Sequence, residues 1–328
     1  LSAVDGIARW AQSSLTFVRE VFHVEPDKWQ LKVLAAWDRG DQRIAMKACK
    51  GPGKTAVEAW LIWHFLATRP HPKIAATSIT GDNLSDGLWA ELAKWRQRSP
   101  FLIEAFEWTS TRVFAKEHSD TWFASARTWP RTAEPSKQAS TLAGLHADYM
   151  LFVIDEVGEI PEAVVATAEA ALASGIEVRM LIAGNPTLTE GPLWRACHKD
   201  KQHWTVVTIT GDPDDPERSP RISVDWARKQ IQTYGRDNPW VMANVFGEFP
   251  PSSTLAFIGQ QLVERAVIRE AACHLLDPLI MGVDVARYGD DKTVLRTRKG
   301  LDARTIPAIK LRNLDTMQVA ARIAEQHE

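Results

Sequence analysis

The sequence is poor in cysteine and tyrosine, lacks an excess of either charge, and has no long hydrophobic run. Its three cysteines, Cys49, Cys197 and Cys273, stand far apart. They show no metal-ligand spacing, and their scatter fits free thiols in a reducing compartment. A formal charge of −2 excludes a global electrostatic pull towards nucleic acid. DNA could then be held only by a local basic groove. The longest apolar stretch, Ala56 to Ala67, is interrupted by Glu58 and His64 and is too short for a bilayer, so no membrane partner is expected. No secretory leader, internal repeat or low-complexity segment is read. The first residue is Leu1, so the natural start is expected to lie upstream or to have been trimmed.

What remains is an ordinary globular composition, 45% hydrophobic and 24% charged, over 328 residues. That is enough for two domains, or for one large domain with an appendage. The 14 tryptophans are scattered, which favours a core role over a base-stacking platform.

Ala48-Cys49-Lys50-Gly51-Pro52-Gly53-Lys54-Thr55 lies between a strand-like run, Arg43 to Lys47, and the helix-like run from Ala56. A Gly-rich turn that closes in Lys-Thr and opens a helix builds a phosphate cradle. Backbone N–H groups wrap phosphate oxygens, the Lys54 ammonium reaches the β and γ phosphates, and the Thr55 hydroxyl joins a Mg²⁺ shell. Ala48 departs from the pattern G-x-x-x-x-G-K-[ST], which calls for glycine there. Tyr149 to Ile154 is an apolar run ending in Asp155-Glu156. It reads as a buried parallel strand that delivers two carboxylates to the edge where open α/β sheets bind ligands. Asp155 would hold Mg²⁺, and Glu156 would orient and deprotonate a water. An adjacent strand, Val178 to Ala183, ends in Gly184-Asn185-Pro186-Thr187, where Asn185 could contact the γ-phosphate or the water.

Strands alternating with helices after the cradle imply an α/β fold with a doubly wound, mainly parallel sheet. Residues 1–40 read as helical, and Gln30 within them is a candidate adenine reader because an amide both donates and accepts. Segment 41–250 reads as the ATPase domain with a lid at about 210–250, and 251–278 as a linker. Leu279 to Ala286 reads as a strand carrying Asp284 in its middle, followed by a turn with Asp290. That is how a two-metal nuclease of the ribonuclease H type begins.

Together these pieces resemble the large terminase subunit of tailed bacteriophages or a prophage, the ATP-driven motor that packages DNA. The resemblance is carried by Pro26-Asp27-Lys28-Trp29-Gln30, the cradle, Gly144-Leu145-His146-Ala147, Val153-Ile154-Asp155-Glu156, Gly184-Asn185-Pro186-Thr187, Gly247-Glu248-Phe249-Pro250, and Gly282-Val283-Asp284-Val285-Ala286 with Gly289-Asp290-Asp291. It implies a P-loop NTPase of the ASCE/RecA-like kind, followed by the first strands of an RNase H-like nuclease domain at 279–328. ATP and Mg²⁺ are the implied cofactors, with Gln30, Lys50, Gly51, Pro52, Gly53, Lys54 and Thr55 around the nucleotide. Lys50 matches an extra basic residue in the loop, and altered first glycines are common in the family.

Asn185 would couple hydrolysis to movement, and Arg127 and Arg131 are candidates for an arginine finger supplied in trans. Asp284 and Asp290 would bind a divalent metal, Mg²⁺ or Mn²⁺. The implied partners are double-stranded DNA, a portal protein, a small terminase subunit and further copies in a ring, in the host bacterial cytoplasm. Family members carry their remaining nuclease acids beyond the point reached by Glu328, so this chain alone is expected not to cut DNA. Two other functions fit parts of the pattern. A helicase-like ATPase would continue into a second ATPase-like lobe, and a non-catalytic assembly subunit would bind nucleotide without needing Glu156.

Overall fold

The computed structural model describes residues 3–129, 134, 142, 145–251, 260–271, 273–286 and 291–326. They form two compact units, Leu1–Gln260 and Gln261–Glu328.

The first unit is built on one eight-stranded sheet in the order β3-β4-β5-β2-β6-β7-β1-β8. Its strands are β1 (Arg43–Ala48), β2 (Lys73–Thr77), β3 (Phe106–Trp108), β4 (Arg112–Ala115), β5 (Phe123–Arg127), β6 (Tyr149–Ile154), β7 (Glu177–Gly184) and β8 (Thr205–Ile209). From β5 to β8 every neighbouring pair is parallel. Strands buried on both faces need continuous apolar runs, which Tyr149 to Ile154 and Val178 to Ala183 supply. The expected doubly wound sheet is present. The hairpin β3–β4 adds an antiparallel edge that sequence reading did not contain. Its strands are short, and no period-two pattern could develop. Arg112 over the Phe123 ring, 3.8 Å from its centroid, fastens the hairpin to β5.

Helices α1 (Ala3–Gln12), α2 (Ser14–Phe22), α3 (Lys28–Asp38) and α4 (Lys54–Thr68) cover one face of the sheet with the helix Ala90–Gln97. α4 is buried almost throughout, because helices pack around it as well as the sheet beneath it. Trp29, Trp37, Trp60, Trp63 and Trp95 are all buried on this face, as their scatter suggested. A buried indole N–H usually finds a partner, although those of Trp29 and Trp60 have none among the described residues. Trp63 Nε1 donates to Leu92 O at 3.1 Å, and Trp37 Nε1 to His64 Nδ1 at 3.1 Å. With His64 Nε2 2.8 Å from Trp10 O, the imidazole is held in one neutral tautomer, and burial pushes its pKa down to about 3. His64 therefore belongs to the core. The opposite face packs Phe152, Ile154, Val164, Ile182 and Leu193.

The second unit contains a three-stranded antiparallel sheet, β11-β10-β9, with β9 at Leu279–Asp284, β10 at Thr293–Lys299 and β11 at Ile309–Leu311. Asp284 ends β9 instead of sitting in mid-strand, paired opposite Val294. The helix Gln260–Ile268 lies within the stretch read as linker. Arg304 braces its C-terminal end by donating to Val267 O (2.8 Å) and Arg269 O (3.1 Å), a favourable place for a cation beside exposed carbonyls. A further helix, Thr316–Glu325, closes the described part of this unit.

Removing the Trp63 indole leaves a large cavity against the sheet. Trp63→Ala should lower the unfolding free energy by about 3–5 kcal/mol in urea titrations. Trp226→Ala, at a partly exposed site, should change it by only about 0.5 kcal/mol. Equal effects would contradict this assignment of the core.

Candidate nucleotide-binding site

Strands β1, β7 and β6 are neighbours and run the same way, so their carboxyl ends share one edge. From β1 the chain turns through Cys49 to Gly53 and enters α4. Gly51 (φ +76°) and Gly53 (φ +96°) take left-handed conformations that a side chain would strain. Gly53 is the N-cap of α4. The unpaired N–H groups of its first turn and the positive end of its dipole therefore lie at the cleft floor. Cys49 N donates to Ile209 O (2.8 Å) and Lys50 N to Asn244 O (2.9 Å), which fixes the loop's base. Gly247 is part of the same anchor, since a Cβ there would collide with Ile209 O and Cys49 N. Next to it, Glu248 forms an ion pair at 2.5 Å with Lys47, whose ammonium also lies under the Phe249 ring.

β6 delivers Asp155 and Glu156 to this edge. Glu156 has φ +51°, uncommon for a residue with a side chain. Such strain persists where surrounding contacts over-determine the backbone, and here it points to a functional position. Glu156 N donates to Asp155 Oδ1 at 2.9 Å, and Asp155 N to Thr77 O at 3.0 Å. β7 delivers Asn185. The Lys54 ammonium lies between the two strand tips, 3.3 Å from Glu156 Oε1 and 3.2 Å from Asn185 Oδ1. Asn185 Nδ2 is buried and has no hydrogen-bond partner among the described residues. The cleft above has a volume of about 980 Å³ and is lined by Lys50, Gly51, Pro52, Gly53, Lys54, Thr55, Glu156 and Asn185, among others.

Burial is the largest cause that pushes the Asp155 pKa up, to about 6, and the Glu156 carboxylate adds to it while Lys54 opposes it. A third acid stands behind them. Glu58, one turn into α4, is completely buried, and neither carboxylate oxygen has a hydrogen-bond partner among the described residues. Burial first, and then the charge on Asp155, raises its pKa well above the usual carboxylate value. Sequence reading registers Glu58 only as an interruption of an apolar run. That interruption is the available signal. Thr55 and Asp155 offer hard oxygen donors of the kind Mg²⁺ prefers, and the raised Asp155 pKa is a strain that a cation would relieve. No cluster of three or more His, Cys, Asp or Glu suited to a metal occurs among the described residues.

Other expected residues lie elsewhere. Gln30 is fully buried, with Oε1 accepting from Asp27 N at 2.8 Å and Nε2 unpartnered, and it is not part of the cleft wall. Arg127 ends β5, where its Nε donates to Ser125 Oγ at 3.2 Å, and it is not among the lining residues. Arg131 and Asp290 lie outside the described residues. Asp284 belongs to the second unit. Arg221, which no motif marked, lines the cleft from a late loop.

No family model matches the sequence. It is 25% identical over 289 residues to a protein described as "Probable terminase, large subunit" from Enterobacteria phage P7, covering 84% of this chain and 56% of that protein. The chain resembles large terminase subunits. The solved structures show the same fold. The large terminase of bacteriophage HK97 aligns with a TM-score of 0.56 at 11% identity, over 95% of this chain and 70% of that one. The large terminase of a thermophilic bacteriophage, in complex with ADP, aligns at 0.52 and 12%, over 92% and 74%. The ATPase domain of the Thermus phage P74-26 large terminase aligns at 0.53 and 14%, over 72% of this chain and 99% of that domain. The chain thus spans just over half the length of its curated terminase relative.

Glu58 generates a pH-dependent prediction. Its carboxyl pKa is raised on folding, so the stability it allows is fully present below the unfolded value. That stability is lost as pH rises through the folded value. Glu58→Gln stays neutral, so its stability relative to wild type should increase with pH across that window. The slope should be at most about 1.4 kcal/mol per pH unit. A pH-independent difference in chemical denaturation would contradict the buried, unpartnered carboxyl.

Proposed function

We infer that this chain is the ATP-hydrolysing part of a DNA-packaging motor of the terminase type. The observation that carries the reading is the buried Lys54 ammonium held by Glu156 and Asn185 at the mouth of a glycine-turned helix start. A triphosphate in the cleft would compete for Lys54, since its charge exceeds that of one carboxylate. Glu156 would then be released to accept a proton from the attacking water. Asn185, freed from Lys54, could contact the γ-phosphate or the water through either end of its amide. Phosphoryl transfer depends mainly on positioning and electrostatics, which these groups supply. Mg²⁺ held by Thr55 and Asp155 would neutralise charge on the phosphate oxygens.

Lys50 faces the same cleft and is our candidate for a further charge beside the phosphates. Gln30 is read as supporting the adenine side through Asp27. In a ring of copies on a portal, Arg127 is a candidate finger for the neighbouring subunit's site. Double-stranded DNA and a small terminase subunit complete the partners of this reading, in the host cytoplasm. Among the described residues no helix is long and apolar enough to cross a membrane. For the second unit we read β9 and β10 as the opening of an RNase H-like nuclease, with Asp284 a metal ligand in a longer chain.

ATP turnover with and without double-stranded DNA tests the proposal. The wild-type protein should hydrolyse ATP, with stimulation by DNA. Glu156→Gln should lose about 10²–10⁴-fold in turnover while still binding nucleotide. Wild-type turnover in Glu156→Gln would rule out its role as the base.

A further inference from the structure

The cleft has a second cationic contributor that comes from far along the chain. After β8, the loop 210–222 returns across the phosphate cradle. Its course is fixed by Gly211 N donating to Val245 O, Ser219 N to Thr210 O, both at 2.8 Å, and Arg218 to Ile222 O. The loop rests on the two left-handed glycines. Ile222 Cδ1 lies 3.9 Å from where a Cβ on Gly51 would stand, and Arg221 Cδ 3.3 Å from the corresponding point on Gly53. At its outer rim the loop is tied to α3 by charge. Arg221 Nε donates to Asp27 Oδ2 at 2.8 Å, while Glu217 pairs with Lys28 (3.4 Å) and Lys32 (3.1 Å).

These two ties differ in what they hold. The Glu217 carboxylate and its lysines are outside the cleft lining, whereas Arg221 is in it, beside Lys54 and Gly53. The Arg221–Asp27 contact uses one edge of the guanidinium, and Arg221 remains 43% exposed. Its Nη nitrogens make no hydrogen bond among the described residues. A planar fork with two free N–H-bearing nitrogens, standing at a phosphate cradle, is suited to bidentate contact with phosphate oxygens. A partly exposed pair with one carboxylate is weak by comparison.

Resting on the nucleotide reading above, we propose that Arg221 is a phosphate ligand contributed by the chain's own loop, and that Asp27 holds it in reserve. When a triphosphate fills the cradle, the guanidinium exchanges Asp27 for phosphate oxygens. Glu217 and its lysines keep the loop seated, so the exchange moves a side chain and leaves the strap in place. Asp27 also adjoins Gln30 through its backbone N–H. Release of its carboxylate is therefore felt at the start of α3.

The two partners of the pair predict opposite effects, which separates a ligand from a mere strap. In calorimetric titrations of the whole chain with Mg·ATP, Arg221→Ala should weaken binding by about 10–100-fold, the worth of a hydrogen bond to a charged group. Arg221→Lys should fall between that variant and wild type. Asp27→Asn keeps the backbone bond to Gln30 and frees Arg221, so it should tighten binding by roughly 2–5-fold, the worth of a weak exposed ion pair. If Asp27→Asn and Arg221→Ala both weakened binding equally, the pair would be structural and the proposal overturned. If Arg221→Ala bound as wild type, it would be overturned as well. Lys54→Ala is the control for the underlying reading. A wild-type protein that bound no Mg·ATP, or bound it as well after Lys54→Ala, would remove the nucleotide site itself and the Arg221 proposal with it.

Discussion

A single buried ammonium organises the first unit. Lys54 stands at the N-terminus of α4, where the helix dipole disfavours a cation, and only 7% of its side chain is exposed. An ion in that position is tolerable only if anions converge on it. The structure supplies Glu156 by direct contact, with Asp155 and Glu58 close enough for each to feel the lysine's charge. Three acidic side chains thus surround one lysine. Burial is the first cause of the raised pKa values of Asp155 and Glu58, and the charge of a neighbouring carboxylate adds to it.

Strand order is what makes this convergence possible. β7 lies between β1 and β6, so the cradle that follows β1, Asn185 beyond β7 and the acids beyond β6 meet at one edge although they are distant in sequence. The register aligns them, with Lys47 paired to Gly184 and Ile154 to Ile182. The loop after β8 then closes over the same edge from the other side of β1. Each functional group is thus the terminus of an element whose own reason to exist is apolar burial.

This division explains what could be read from the residues alone. Apolar runs, turn glycines and terminal acids are local signals, and from them the parallel sheet, the cradle and the acids of β6 were all legible. Glu58 and Arg221 acquire meaning only through tertiary neighbours. Arg221 meets Asp27 from 194 positions away, and nothing within its own segment marks it. Gln30 shows the reverse case. Its amide chemistry marked it as a candidate base reader, whereas its second role, with Oε1 accepting from Asp27 N at the start of α3, shows only in the folded chain. The β3–β4 hairpin was invisible because strands of three and four residues carry no period. Of the tryptophans read as core from their scatter, Trp29, Trp37, Trp60, Trp63, Trp89 and Trp95 do belong to the core of the helical face, while Trp226 and Trp240 are exposed.

The nucleotide chemistry of the cleft turns on whether Lys54 changes partners. The direct measurement is a crystal structure of the chain with Mg·ADP and aluminium fluoride, a mimic of the transferring phosphoryl group. The predicted result is Lys54 Nζ on the fluoride-bearing group, parted from Glu156, with the Glu156 carboxylate turned to the attacking side. Nucleotide seated elsewhere, or a Lys54–Glu156 pair still at its present 3.3 Å with the cleft filled, would contradict it.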